Sequence, residues 1–163
     1  MKSLCGSASI VLLALFSGCQ QQQRVFTGAE QEATLKAVRA QFDRLVSAIN
    51  QKDAGAWSEF YSKEGFVSAT VGTDCYATRS AWVDAITKYF SMRERQRVEP
   101  LRVRVTALAP DVALMTSEER SVMGFKNGQD AKAKHVFTMI WKKESGGWKI
   151  LHSHESWVEE PAR

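Results

Sequence analysis

From Arg97 to Trp157, apolar and polar residues alternate with a period of two, and only turn motifs interrupt the pattern. Such alternation is typical of strands that present one face to a core, and the pairs Pro-Asp, Asn-Gly and Gly-Gly between the runs are typical of turns. The turns lie at 109–111, 127–128 and 145–147. The second half of the chain is therefore predicted to be a meander of four antiparallel strands, the last three over 112–123, 132–143 and 148–157.

Three helices are predicted before the meander, because apolar residues there recur at intervals of three and four. Thr27 and Glu30 have the spacing of a capping box, Asp53 suits the start of a second helix, and a third begins near Thr78 or Ser80. The predicted inward-facing residues are Leu35, Val38, Phe42, Leu45 and Ile49, then Trp57, Phe60 and Tyr61, then Trp82, Ile86, Tyr89 and Phe90.

Between the second and third helices, 65–70 is a short strand candidate and 71–77 a predicted loop. Helices followed by antiparallel strands predict one α+β domain, with the helices packed on one face of a curved sheet. The 163 residues suffice for a single domain with its own core. Such a sheet encloses a cone, and the mouth of the cone is the default binding site.

The first residues are predicted to be a signal peptide. Lys2 precedes an apolar run over 10–16, which is too short to cross a bilayer as a helix and ends at Ser17-Gly18-Cys19. The segment 15–19 resembles a bacterial lipoprotein signal, with ordinary secretion as the alternative. The resemblance implies that 1–18 are removed, that Cys19 carries the lipid (palmitate and diacylglycerol), and that 19–27 form the tether. Gln20 in place of Asp implies the outer membrane, with the domain facing the periplasm.

The charge pattern argues against a nucleic-acid partner. The formal net charge is +4, and +3 without Lys2. Five arginines near the start of the meander are interrupted by acidic residues, whereas a nucleic-acid surface needs a denser basic stripe with stacking aromatics. They are predicted to form a solvated or headgroup-facing surface: Arg93, Arg95, Arg97, Arg102 and Arg104. Cys75 is the only free thiol once 1–18 are removed and Cys19 is lipidated, and it is interpreted as a packed thiol rather than a nucleophile.

The last strand carries two of the three histidines. After the Gly-Gly turn, simple alternation places His152 and His154 on the same face as Trp148 and Ile150, with the imidazoles roughly 6–7 Å apart. Either is a candidate general base. With His135, they would provide three ligands for a metal if the register allowed, but no metal or cofactor is predicted. The favoured interpretation is that the histidines bond to their neighbours and shape the cavity.

Other polar residues are predicted to line the pocket. Tyr61 and Tyr76 have hydroxyls that can donate a proton or stabilise an oxyanion. Glu118 and Glu119 are consecutive in a strand, so one of them must face inward. His135 shares a face with aromatic and apolar neighbours and completes the pocket candidates.

The order of elements resembles the nuclear transport factor 2-like superfamily, with the SnoaL-like branch as the nearest. The resemblance rests on the long first helix, the short aromatic helix, Arg79-Ser80-Ala81-Trp82 and the closing strand 148–156, and it covers 28–158, leaving 159–163 as a tail. It implies a cone-shaped fold that hosts isomerases, cyclases, dehydratases and binding domains alike. In the ketosteroid isomerase branch an Asp moves the proton, and Ala69 stands at that position here.

Three functions are predicted as alternatives. The first is binding of a small, largely apolar molecule without turnover; the second is a SnoaL-like isomerase, cyclase or dehydratase that uses His152 or His154; the third is an adaptor for another envelope protein. A homodimer through the sheet is expected, because Ile150 and Leu151 point to opposite faces. An open cone with a histidine bonded to a carboxylate would favour the enzyme, and a cone plugged by Trp, Phe and Met would favour the adaptor.

Overall fold

The computed structural model describes residues 26–160. The predicted signal peptide at 1–18, the lipidation site Cys19 and most of the tether lie outside the described residues. Within them, no helix has the length and apolar character needed to cross a membrane. The elements are α1 Gly28–Gln51, α2 Ala54–Ser58, β1 Ser68–Val71, β2 Asp74–Tyr76, α3 Arg79–Met92, β3 Arg93–Ala109, β4 Val112–Phe125, β5 Asp130–Glu144 and β6 Gly147–Glu159.

Each helix begins at a side-chain cap. The Thr27 hydroxyl accepts from the backbone N–H of Glu30 at 3.2 Å, and the Glu30 carboxylate accepts from the backbone N–H of Thr27 at 3.0 Å. These bonds satisfy donors that a helix start leaves free. Asp53 caps α2 and Thr78 caps α3 in the same way. The three predicted helix starts are therefore confirmed.

The helices bury apolar side chains against the sheet. Val38, Phe42 and Leu45 of α1 are almost fully buried, and the ring centroid of Trp57 lies 4.7 Å from that of Tyr61 and 5.4 Å from that of Trp82. Burial of such side chains stabilises a domain by about 1.5–3 kcal/mol each. The helical layer thus presents aromatic rings to the concave face of the sheet.

The sheet has six strands in the order β2-β1-β6-β5-β4-β3. The four predicted strands form the antiparallel meander β3–β6, and β1 pairs with β6 in parallel. The predicted loop 71–77 was wrong in part, because Asp74–Tyr76 forms β2. Gly72, with φ of 58°, lies in the two-residue turn that joins β1 to β2. The α+β architecture, with helices on one face, is confirmed.

A bulge at Leu151 changes which side chains of β6 face the helices. Trp141 of β5 pairs with Ile150 and the preceding residue, Ile140, pairs with His152, so that Leu151 is the extra residue. A bulge of this kind bends the strand and shifts its alternation by one residue. Inward positions are therefore even-numbered up to Ile150 and odd-numbered from Ser153 onward.

Candidate functional site

A cavity of about 680 Å³ lies between the helices and the concave face of the sheet. Its helical wall is aromatic, and its sheet wall combines Met and Phe side chains with a small polar group. Pockets that enclose small organic molecules commonly have volumes of about 300–1,000 Å³. The cone is therefore open and large enough for a ligand. Its lining includes the side chains of Tyr61, Arg93, Gln96, Glu119, Ser121, His135, Glu155 and Trp157.

His135 is held from both sides by hydrogen bonds. Its Nδ1 lies 2.6 Å from Oε1 of Glu155, and its Nε2 lies 2.6 Å from Oγ of Ser121. We call these three residues the histidine triad. With Nδ1–H donated to the carboxylate, Nε2 is left as the acceptor, which is the form in which imidazole removes protons.

The strand register explains why the triad assembles. Ser121 pairs with Ala133 on one side of β5, and Glu155 pairs with Phe137 on the other. Each is therefore a diagonal neighbour of His135, within reach of a long or planar side chain. The bulge at Leu151 contributes directly, because it places Glu155 on the inward face.

Glu119 lies directly opposite His135 in the β4–β5 register and is only 2% exposed. Burial raises the pKa of Glu119 from 4.5 to about 7; Ser117 and His135 act to lower it and the charge of Glu155 to raise it. The carboxyl can therefore hold a proton near neutral pH and donate it. Glu118 faces outward and forms an ion pair of 3.2 Å with Arg102. The prediction that one of the two faces inward is confirmed.

The two predicted tyrosines differ in position. Tyr61 lines the cavity, its hydroxyl is 3.2 Å from Oγ of Ser153, and burial raises its pKa to about 12. It is thus a neutral group in the wall. Tyr76, on β2, packs on Trp82 with ring centroids 5.0 Å apart and does not line the cavity. The neighbouring Tyr89 hydroxyl, with burial, raises the pKa of Tyr76 to about 12.

His152 and His154 lie outside the cavity, which corrects their predicted placement beside Trp148 and Ile150. The physical reason is the bulge at Leu151, which follows Trp148 and Ile150 and precedes both histidines. It shifts the alternation of β6 by one residue, so that the histidines face the other side of the sheet. His152 bonds through Nδ1 to Oγ of Ser68 at 2.9 Å, and the exposed His154 lies 3.4 Å from Oγ of Ser156. The three histidines do not converge, and residues 26–160 contain no group of three or more His, Cys, Asp or Glu side chains placed to hold a metal ion.

Two further expectations are corrected. Cys75 is exposed on β2, so the packed-thiol interpretation was wrong. Arg93 belongs to the cavity wall rather than to a solvated surface. The reason is its position at the junction of α3 and β3, since residues of both elements line the cavity.

Sequence reasoning missed three site residues: Arg93, Ser121 and Glu155. Simple alternation put Glu155 on the wrong face, and no glycine or proline marks the bulge near Leu151. Ser121 was detectable in principle, since it is two residues from Glu119 and thus on the same face of β4.

Comparison with protein families gives a match over most of the chain. The family model described as a SnoaL-like domain matches residues 38–160. A comparison with curated proteins finds no significant match.

Three solved structures illustrate the fold. A proposed dehydratase of the nuclear transport factor 2-like family from Streptomyces avermitilis is 18% identical, with 78% of this chain and 98% of that chain covered and a TM-score of 0.71. A proposed scytalone dehydratase from Novosphingobium aromaticivorans is 8% identical, with 84% of this chain and 94% of that chain covered and a TM-score of 0.74. A hexachlorocyclohexane dehydrochlorinase from Novosphingobium barchaimii is 12% identical, with 83% of this chain and 94% of that chain covered and a TM-score of 0.71. The predicted nuclear transport factor 2-like cone is confirmed.

Proposed function

Because the chain belongs to the SnoaL-like domain family, we propose that it is a lyase or isomerase that removes a proton from a carbon atom of a small, largely apolar molecule. One observation carries this proposal: His135 lies in the cavity wall with Nδ1 held by Glu155 at 2.6 Å. A histidine oriented by a carboxylate is a recurrent general base. The open cone with this pair favours an enzyme over an adaptor.

The triad supports proton removal as follows. A substrate C–H would replace the Ser121 hydroxyl at Nε2 of His135 and give its proton to that nitrogen. The imidazolium that forms is stabilised by the Glu155 carboxylate, which accepts a hydrogen bond from Nδ1–H while the proton stays on Nδ1. The electron pair of the C–H bond stays on the substrate, either as an enolate or as a new C=C bond.

Glu119 supports elimination of water as the second half of the reaction. As the new C=C bond forms, the C–O bond breaks with its electron pair on oxygen, and the proton of Glu119 converts the departing hydroxide into water. Glu119 lies opposite His135, and burial keeps its pKa near 7, so a proton is available. Of the three solved structures described above, two are proposed dehydratases and the third is a dehydrochlorinase.

Acyl transfer with Ser121 as the nucleophile is a second candidate reaction, because Oγ of Ser121 is 2.6 Å from Nε2 of His135. Acyl transfer also needs free donors for an oxyanion. Ser121 lies within β4 and pairs with Val98 on one side and Ala133 on the other, so its own backbone belongs to the ladder. This position favours proton removal over acyl transfer.

The test is exchange of substrate protons with solvent. Small β-hydroxy ketones and acids are incubated with the domain in deuterium oxide, and NMR measures deuterium at the carbon beside the carbonyl. We expect His135→Ala to lower the exchange rate at least about 100-fold and Glu155→Gln to lower it about tenfold or more. His154→Ala is the matched control, because that histidine is exposed outside the cavity.

Exchange that His135→Ala leaves unchanged, or that His154→Ala abolishes, would contradict the proposed base. No exchange with any compound would favour the alternative, which is binding of an apolar molecule without turnover. The aromatic and methionine walls of the cavity support that alternative equally well.

We further propose that the mature protein begins at Cys19 and is lipid-anchored to the bacterial outer membrane, facing the periplasm. The support is the short apolar run and the small residues that precede Cys19. We also propose a homodimer through the outer face of the sheet. Val136 and Val158, on adjacent strands of that face, are 50% and 63% exposed.

A further inference from the structure

Arg93 is a cation in the cavity wall without a carboxylate partner. It follows the last residue of α3, opens β3 and is half-buried. Its Nη1 donates to Oε1 of Gln96, whereas its Nε is buried and has no acceptor within residues 26–160. In the same part of the chain, no Asp or Glu lies within ion-pair distance of its guanidinium. Burial lowers the pKa of Arg93, which marks the cost of removing it from water.

Other arginines of the same strand behave differently. Arg95 pairs with Asp130 and Arg102 pairs with Glu118, and both arginines are largely exposed. An exposed pair contributes little to stability, and water can replace either partner. A buried guanidinium is costly unless an anion or several acceptors meet it. Arg93 is thus the arginine whose surroundings call for an acceptor from elsewhere.

The acidic residues around the cavity compensate this charge only through space and form no ion pair with it. Glu155 attracts Arg93 through space, but its carboxylate is bonded to His135. Asp130 is held by Arg95, and Glu159 is exposed at the rim. Glu119 is neutral below about pH 7. A ligand that enters the cone therefore meets a single Lys or Arg side chain among the described lining residues, that of Arg93, and its Nε has no acceptor.

We infer that Arg93 binds an anionic oxygen group of the substrate, so that the substrate is a small, largely apolar carboxylic acid. Hydrogen bonds from a guanidinium to a carboxylate are charge-assisted and are strengthened where water is excluded. The inference deepens the proposed function: a carboxylate held at Arg93 would orient the substrate in the cavity that contains His135, and the cation would stabilise negative charge that develops as the proton leaves.

The experiment compares two probes of nearly equal shape, 2-naphthoate and the neutral 2-naphthamide. Isothermal titration calorimetry measures both dissociation constants at about pH 6.5, where Glu119 is mostly protonated. We expect wild type to bind the acid at least about tenfold more tightly than the amide, and Arg93→Gln to remove that preference while still binding the amide. Arg102→Gln, on the same strand but exposed, is the matched control and keeps the preference.

Arg93→Lys provides a second readout, because it keeps the charge but not the planar fork of donors. We expect a reduced but measurable preference for the acid. Three results would each overturn the inference: a wild type that binds neither probe or binds both equally, an Arg93→Gln variant that keeps the preference or loses both probes together, or an Arg93→Lys variant with an unchanged preference.

The two proposals fail separately. His135→Ala should retain the preference for 2-naphthoate, because the imidazole is not needed to hold the carboxylate. If the protein prefers 2-naphthoate but exchanges no substrate protons, the proposed reaction is contradicted and the anion site is supported. If it exchanges substrate protons but shows no preference for 2-naphthoate, the anion site is contradicted and the proposed base is supported.

Discussion

At the scale of single residues, two carboxyl groups of the site, those of Glu119 and Glu155, have different surroundings. Glu155 is bonded to the imidazole of His135, whereas the ionisation of Glu119 is opposed by burial and by the charge of Glu155. A carboxylate bonded to an imidazole can orient it, and a desolvated carboxyl keeps its proton. Two chemically identical groups thereby acquire the roles of supporting a base and of donating a proton.

The titration of Glu119 should make stability depend on pH. Because its folded-state pKa is raised from 4.5 to about 7, the folded protein holds a proton that the unfolded chain has released between these values. The contribution of Glu119 to the free energy of unfolding should therefore be greatest at and below about pH 4.5. It should decline as pH rises to about 7 and then level off, with a total loss of up to about 3 kcal/mol.

Urea unfolding at about pH 5 and about pH 7.5 measures this effect. Glu119→Gln should remove most of the decline, and Glu118→Gln, on the exposed face, should leave it unchanged. An equal decline in wild type and Glu119→Gln would show that Glu119 is not protonated in the folded protein.

At the scale of elements, the sequence predicts those features of helices and strands that depend on neighbouring residues in the chain. The helix caps at Thr27 and Asp53 and the turns of the meander follow from short-range chemistry, and they are confirmed. The bulge at Leu151 does not, because it is a feature of how β6 pairs with β5, a partner strand that the local pattern of β6 does not reveal. Leu151 O accepts from Val67 N, just before β1, at 2.7 Å. Hence the strand was predicted but its inward residues beyond Ile150 were not.

Deleting Leu151 tests the role of this bulge. On both sides of Leu151, the residues of β6 already face the same side of the sheet as their partners on β5. Removal of the extra residue should therefore leave Ile150 and Ser153 inward and the triad assembled. We expect a lowered melting temperature, equivalent to about 1–2 kcal/mol, from the lost bond to Val67, with binding of 2-naphthamide retained.

Leu151→Ala is the control, since it keeps the bulge and removes only side-chain packing. A folded deletion variant that no longer binds the amide would mean that the bulge itself, rather than the residues it orients, maintains the cavity. Calorimetric melting and titration on the two variants distinguish these results.

At the scale of the whole molecule, one face of the sheet encloses the cavity and the other remains outside. The outer face carries Val136 and Val158, along with His152 and His154. In a two-fold dimer the same exposed apolar patch would be covered on both subunits. The histidines first considered as bases would then lie near a subunit contact.

Sedimentation equilibrium tests the dimer. We expect a dimer at micromolar concentration for wild type, and a monomer when Val136→Asp and Val158→Asp are combined, because charges on an apolar contact are costly to bury. The Lys36→Asp variant, which introduces a negative charge at an exposed position of α1 rather than on the sheet, serves as the control and should remain dimeric. A monomeric wild type would contradict the proposal.

The anchor is tested by fractionation of cells that express the full chain. Cys19→Ala should prevent lipid attachment and block processing by a lipoprotein pathway, with the full-length precursor detectable by mass spectrometry. Cys5→Ala is the matched control, since Cys5 lies within the predicted signal peptide. A mature N-terminus other than Cys19 in wild type would indicate ordinary secretion.

The parallel pairing of β1 with β6 also bears on how the protein folds. Ser68 and His152 are joined by a hydrogen bond across 84 positions of the chain, and β6 lies between β1 and β5. Contacts between such distant segments close late, because the entropy of a long loop must be lost before the strands stabilise each other. Of the six described strands, the one that comes last in chain order is thus inside the sheet, and neither the triad nor the cavity can form until β6 has been synthesised.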